Sequence, residues 1–450
     1  MKCNKCGKEN PIGQKFCGEC GNKLESSSTQ SNISNTVNQS PSSSTSNQST
    51  GEFTQHDLAE YTTRDGHLKI PEFDKFGNPY VKIAKNAFWN CHEITRVSIP
   101  GSITTIGEHA FGGCINLQAI TFEKGVITIE PYAFSGCTGL SSITLPDSTS
   151  FIGEYAFWNC KDLEKIHIPQ SVTYIDDHAF ESCINLNIDH LPEGITYIGK
   201  QAFRNVGLTS IYIPDSVTTI GQGAFLGCKT LQRISLPFVG ETKDGNENNY
   251  FGHIFDSDSI HQGFTRQYRE EHGYSFTNKK LSVQIRGGTI IADKAFWKCS
   301  NLDVTLPDSI IRIGNAAFAN HAENHLSVGI PYNNSIKYID YNAFYDGGVG
   351  AVINLSNIEI IGQAAFRKAY LETVFIGQDL VSIGESAFAE CKDLKKIVYS
   401  GTMEQWQSIR FGAHWREGVP TSMKVVCSDG TIKYSKDGQI KEKKKIWKFI

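Results

Sequence analysis

Four cysteines at the start of the chain have the spacing of a metal site. Cys3-x-x-Cys6 and Cys17-x-x-Cys20 are two hooks ten residues apart, and glycine follows Cys6, Cys17 and Cys20. Two such hooks supply four thiolates, the number a closed tetrahedral Zn²⁺ site takes. With all four positions filled by protein, no coordination position remains for a substrate, so the expected ion is a single structural zinc. A segment this short has almost no core, and its folding would depend on the metal.

Eight further cysteines form a column: Cys91, Cys114, Cys137, Cys160, Cys183, Cys228, Cys299 and Cys391. No histidine or acid recurs beside them, so each is expected to be a small apolar filler with a reduced thiol. The interval from Phe238 to Gly288 holds His253, Asp256, Asp258, His261, Glu270, Glu271 and His272. Their spacings fit no calcium loop, zinc helix or hydrolytic triad; a solvated insertion is expected. His321 and His325 lie four apart, but the glutamate between them is at the wrong offset for a metalloprotease, which leaves a loop.

The elements that must position these residues are periodic. Phe88, Phe111, Phe134, Phe157, Phe180 and Phe203 follow at intervals of 23, Phe225 comes 22 later, and after a gap Phe296, Phe318, Phe344, Phe366 and Phe388 continue the series. Each is preceded by alanine, giving twelve copies of one unit. A unit opens on an I-x-I/L-P segment such as Ile211–Pro214 and continues with V-T-x-I-G, as in Val217–Gly221. It closes on A-F-x-x-C-x-x-L, as in Ala110, Phe111, Cys114 and Leu117. The first two segments are β-branched and read as short strands, the first ended by proline. Phe, Cys and Leu at offsets 0, 3 and 6 are expected on one face of a helical or 3₁₀ turn. A unit of this size cannot bury its apolar face alone, whereas stacked copies can.

The recurring IPxSVTxIGxxAFxxCxxL pattern resembles the BspA-like (Treponema-type) leucine-rich repeat over roughly residues 68–400. The segments 236–240 with 250–255, and 400–406, resemble an insertion and an ending that such proteins carry. The first 24 residues resemble the small zinc ribbons at the N-termini of many bacterial proteins. The repeat resemblance implies a β-rich, right-handed solenoid of about 12 coils and an adhesion or protein-interaction role, commonly at the bacterial surface.

The expected organisation is a zinc ribbon over 1–24, a polar linker over 25–52 that is almost all Ser, Thr, Asn and Gln, a solenoid over 53–400 and a C-terminal cap with a basic tail over 401–450. Two outward slots are candidates for partner binding. One holds Phe151, Tyr174 and Tyr197 in successive units, an aromatic strip suited to a peptide or to sugar faces. The other is the varied slot of the first strand, with His167 and Tyr212 the most distinctive among Ser98, Thr121, Thr144, Ser235, Thr305 and Phe375. The chain has 450 residues, 39% apolar and 20% charged, with a formal net charge of −4. That balance provides no general attraction for nucleic acid. The start of the sequence has no apolar leader and no run reaches the length of a membrane span, so a cytoplasmic setting is expected, with the family's surface location as the alternative. No phosphate loop, nucleophile constellation or open metal site is visible. The expectation is a non-catalytic scaffold for a protein partner, with a zinc-ribbon regulator of nucleic acid as the runner-up.

Overall fold

The computed structural model describes residues 51–243, 250–255, 280–299, 302–319, 326–332, 334–435 and 439–445. The zinc-ligand candidates Cys3, Cys6, Cys17 and Cys20, the linker over 25–50, His321, His325 and the insertion residues Asp256, Asp258, His261, Glu270, Glu271 and His272 lie outside them.

The chain winds into a β-solenoid of about twelve turns with little helix. Each turn contributes one strand to each of two parallel arrays. The first strand of a unit has three to five residues, as in Arg96–Ile99, and alternates outward and inward side chains, so Val97 and Ile99 are buried while Arg96 is exposed. The second strand has only two, as in Thr105–Ile106; its isoleucine points inward and its first residue outward. Parallel register is kept throughout: Ile106 faces Ile83 and Ile129, and Val97 faces Ile120. Proline ends the first strand as expected, after Ile99, Ile168 and Ile213.

The glycine after the second strand does not serve a positive φ. A Cβ on Gly107 would lie 2.4 Å from the carbonyl oxygen of Ile83 in the turn below, so close approach of two backbones excludes a side chain there.

The expected helical or 3₁₀ turn around Ala-Phe is absent. Among the described residues, those two before and two after the repeat phenylalanines have left-handed φ, for example His109 (54°) and Gly113 (74°) around Phe111. The segment is a series of tight turns. Alternate N–H groups close turns within the unit (Ala110 to Gly107 O, 3.0 Å; Cys114 to Phe111 O, 3.2 Å), and those between reach the next unit (Phe111 N–H to Ala133 O, 2.8 Å). A helix would consume all these groups internally, whereas the tandem turns free every second one to build a third inter-coil ladder. Among the described residues, twenty non-glycine residues adopt left-handed φ of 51–65°. Each costs about 1–2 kcal/mol, a penalty the ladder and the packing beneath it offset.

Phe, Cys and Leu do all point inward. Phe111, Cys114 and Leu117 are fully buried. The phenylalanine rings stack from coil to coil at 5.2–5.7 Å between Phe88 and Phe225. The interval after Phe225 is not purely solvated. A 3₁₀ turn over Phe251–Phe255 is buried between neighbouring coils: Phe225 N–H donates to Ile254 O, and Phe251 stacks on Phe296 at 5.2 Å. The described base of the insertion is thus one more course of the stack.

The boundary expected at residue 400 falls inside the array. Arg410–Phe411 pairs parallel with Ser382–Ile383, and Lys424–Cys427 pairs parallel with Lys396–Tyr399. In this last coil Trp415 and Arg416 replace Ala-Phe, and Trp415 meets Phe388 edge-on at 6.3 Å. The direction then reverses: Gly430–Tyr434 and Ile440–Lys445 are antiparallel, a hairpin that covers the last open strand.

Candidate interaction surfaces

The first strands carry one outward column in register. Ser98 faces Thr121, Thr144 faces His167, His190 bridges Tyr212, and Tyr212, Ser235, Gln284, Thr305 and Gly329 follow in order. Asn354, Phe375 and Val398 continue it in the last turns. The residues beneath are mainly Ile, Leu or Val and mostly buried, with Phe122, Ile166, Ile188 and Ile330 partly buried, so a largely uniform frame displays a changing side chain. His167 is exposed. Tyr212 is covered in part: the Arg286 guanidinium lies 3.9 Å from its ring centroid and also bonds Ser235 Oγ (2.7 Å) and Asp215 Oδ1 (2.7 Å). The charged residues of these strands are mainly basic, with Lys69, Arg96, Lys165, Arg233, Lys396 and Lys424 against Asp303.

Phe151, Tyr174 and Tyr197 occupy the other array, so the five sequence-nominated residues divide between two sheets. Register places the three rings side by side. Phe151 and Tyr174 are 5.6 Å apart and Tyr174 and Tyr197 4.2 Å, within 4° of parallel in the second pair. The ring faces are turned to one another, and Phe151 and Tyr197 remain half-buried. Tyr174 is buried, and that burial, with Tyr197 and the carboxylates of Asp176 and Asp177, pushes its phenol far above the ordinary range. Burial followed by Asp177 pushes Tyr197 up to about 12.

A second aromatic row was not singled out from the sequence. His109, Tyr132, Tyr155 and His178, each two residues before a core phenylalanine, stack at 4.5, 4.8 and 4.3 Å. The signal was present as one aromatic or imidazole ring every 23 residues, but it lies in a position where left-handed backbone favours glycine or asparagine. Burial, and then the charges of Tyr132, Glu181, Glu154 and Asp177, raise the Tyr155 phenol. Asp177 lies between Tyr174 of one row and His178 of the other along its coil. Behind them Glu181, itself buried, accepts from Arg204 (2.9 Å) and meets His178 Nδ1 at 2.6 Å.

The cysteine column has a structural task. Sγ of Cys114, Cys137, Cys160, Cys183, Cys228 and Cys391 donates to the carbonyl of a phenylalanine one coil earlier, at 2.9–3.2 Å. The thiols are unpaired, and burial pushes Cys114, Cys228 and Cys391 up to about 12. Val206 fills the same slot and is buried equally. Among the described residues no three His, Cys, Asp or Glu side chains converge for a metal, and no helix is long and apolar enough to cross a membrane. His253, at the base of the insertion, is buried within the 3₁₀ turn.

Parallel coils, a shared apolar interior and outward slots that vary on a constant frame define a leucine-rich-repeat array. The chain belongs to the BspA type leucine rich repeat family, which matches residues 81–188, 150–242 and 289–414. No curated protein matches it. Among solved structures it is similar to a Treponema pallidum leucine rich repeat protein, TpLRR, with 31% identity over 38% of this chain and 79% of that one, TM-score 0.35. A leucine-rich repeat protein from Bacteroides ovatus is 23% identical over 80% of this chain and 91% of its own, TM-score 0.36. The pneumococcal vaccine antigen PcpA is 20% identical over 81% and 90%, TM-score 0.35.

Proposed function

We propose that the protein is a non-catalytic binding scaffold whose repeat surface holds a protein partner. The observation that carries this reading is the first-strand column, in which Ser98, Thr121, Thr144, His167, His190, Tyr212, Ser235, Gln284 and Thr305 vary from coil to coil over a mostly buried apolar frame. A surface that changes while its support does not is what selective recognition needs. His167, exposed, is the leading contact; Tyr212, held by Arg286, is a rigid neighbour. The row Phe151, Tyr174 and Tyr197 is a second contact surface, offering the half-buried rings of Phe151 and Tyr197 to a peptide or a sugar. The zinc ribbon on Cys3, Cys6, Cys17 and Cys20 is a second interaction module, supported by the spacing of its two hooks. The buried reduced thiols of the ladder favour a reducing, cytoplasmic setting, which cell fractionation tests.

The test is capture of a partner by the full chain and by His167→Glu and Phe375→Glu variants with unchanged melting. A partner held by the parent chain and lost from both variants supports the reading. Partners captured equally by all three chains refute it.

A further inference from the structure

The two aromatic rows differ in charge from the first-strand face. Across the coils of the two rows, residues 105–112, 128–135, 151–158, 174–181 and 197–204 contain Glu108, Glu130, Glu154, Asp176, Asp177 and Glu181 against Lys200 and Arg204. Glu108 is paired with Lys85, Glu130 with Lys82, and Glu181 with Arg204. Glu154 is exposed and Asp177 half-buried. Asp177 accepts the Lys200 N–H at 2.7 Å, and neither it nor Glu154 is in an ion pair among the described residues. Phenol oxygens and these carboxylates form a face rich in acceptors. An ammonium group, with three donors and a positive charge, complements it.

The chain carries such a group of donors at its own start. Residues 1–24 hold Lys2, Lys5, Lys8, Lys15 and Lys23 against Glu9, Glu19 and the net charge of about −2 of the proposed four-thiolate zinc centre, which leaves five ammonium donors on a segment of small net positive charge. The point at which the chain enters the structure is also favourable. Glu52–Phe53 is the edge strand of the same eight-stranded sheet that bears Phe151, Tyr174 and Tyr197. In the strand order Phe151 lies four neighbours away and Tyr174 five, or about 19–24 Å at the usual parallel spacing. Residues 25–52 could span up to roughly 90 Å. The first 24 residues therefore reach the rows with ample slack, and covalent attachment supplies an effective concentration on the order of millimolar, so individually weak contacts suffice. The first-strand face carries Lys165 and Arg233, with Arg96 paired to Asp65, and so offers the same segment less charge complementarity.

We propose that the lysine-bearing N-terminal segment, residues 1–24, docks on the acid-lined aromatic rows of its own chain, around Tyr155, Asp177 and Tyr174. This rests on reading the rows as a contact surface, and it assigns their occupant. Docking leaves the first-strand face free for the partner.

The test is zero-length carbodiimide cross-linking of the full chain, with heavy and light copies mixed, read by mass spectrometry. Links from the five lysines are expected to concentrate several-fold on Glu108, Glu130, Glu154 and Asp177 over the exposed acids Asp303, Asp379 and Glu385 of later coils. They are expected within single copies, and to fall several-fold at about 0.5 M salt, where surface charges are screened. Glu154→Lys is expected to lower linking to Glu108, Glu130 and Asp177 several-fold without moving the melting temperature. Links spread evenly over both sets of acids, or formed only between copies, overturn the proposal. Partner capture that still depends on His167 in that case leaves the scaffold reading intact.

Discussion

Replacing Phe157 with alanine removes a ring from the middle of the stack. The side chain is fully buried, with centroids 5.4 Å from Phe134 and 5.4 Å from Phe180. Phe→Ala in a core costs about 3–5 kcal/mol, and a stacked pair contributes about 0.5–1.5 kcal/mol beyond area. Contacts on both faces place this site at the upper end, about 4–5 kcal/mol. Each 1.4 kcal/mol is tenfold in an equilibrium, so the coil should open roughly a thousandfold more often or beyond. Amide hydrogen exchange reads this directly, because Phe134 N–H to Ala156 O and Phe157 N–H to Ala179 O are inter-coil bonds of 2.8 Å. Protection at those amides should collapse, while amides bonded between the coils of Phe344, Phe366 and Phe388 keep theirs, since each coil touches only its neighbours. A loss smaller than tenfold, or an equal loss at both ends of the chain, would refute the reasoning.

Other substitutions test separate joints. Gly221→Ala should lower the melting temperature by several degrees, because its Cβ would meet Lys200 N at 2.4 Å and Gly199 C at 2.5 Å, and backbone must move; an unchanged melt would contradict the close approach. Cys160→Val should be tolerated within about 1 kcal/mol in urea unfolding, since Val206 occupies the same slot. Thiols at Cys114, Cys228 and Cys391 are pushed up to about 12, against an unfolded value near 8.5. The unfolded chain then loses protons first as pH rises, so stability present below about pH 8.5 declines steadily towards pH 12. Alkaline unfolding that is unaffected by valine at these three positions would count against the ladder as its cause. Metal analysis should find one zinc per chain, lost on Cys17→Ser, with the melting of the array unchanged; zinc retained by that variant would remove the proposed ligand set.

The repeat and its core were legible because Ala-Phe returns at a fixed interval and the β-branched segments keep order around it. The tandem turns were not. Offsets of three between Phe111, Cys114 and Leu117 suit a helical turn as well as a chain of tight turns. The usual turn signal is also masked where Tyr132 and Tyr155 replace glycine at left-handed φ. Those residues are tolerated because they stack on their neighbours, a benefit visible only once coils are superimposed. The cover of Arg286 over Tyr212 joins residues on opposite sides of the insertion, and no local pattern announces it. The end of the array was placed early because Trp415-Arg416 breaks the Ala-Phe signature while keeping its geometry, with left-handed His414 and Gly418 on either side.

Distances along the first-strand column offer the most direct check on the stacked-coil account. Spin labels carried by unnatural residues, which spare the native thiols, can be placed at Thr121 and in turn at Tyr212, Thr305 and Phe375, four, seven and ten strands away in the register order. Pulsed dipolar spectroscopy should give separations that lengthen steadily, by roughly 4.8 Å for each strand passed. A label at Phe375 found as near to Thr121 as the label at Tyr212 would contradict a continuous stack.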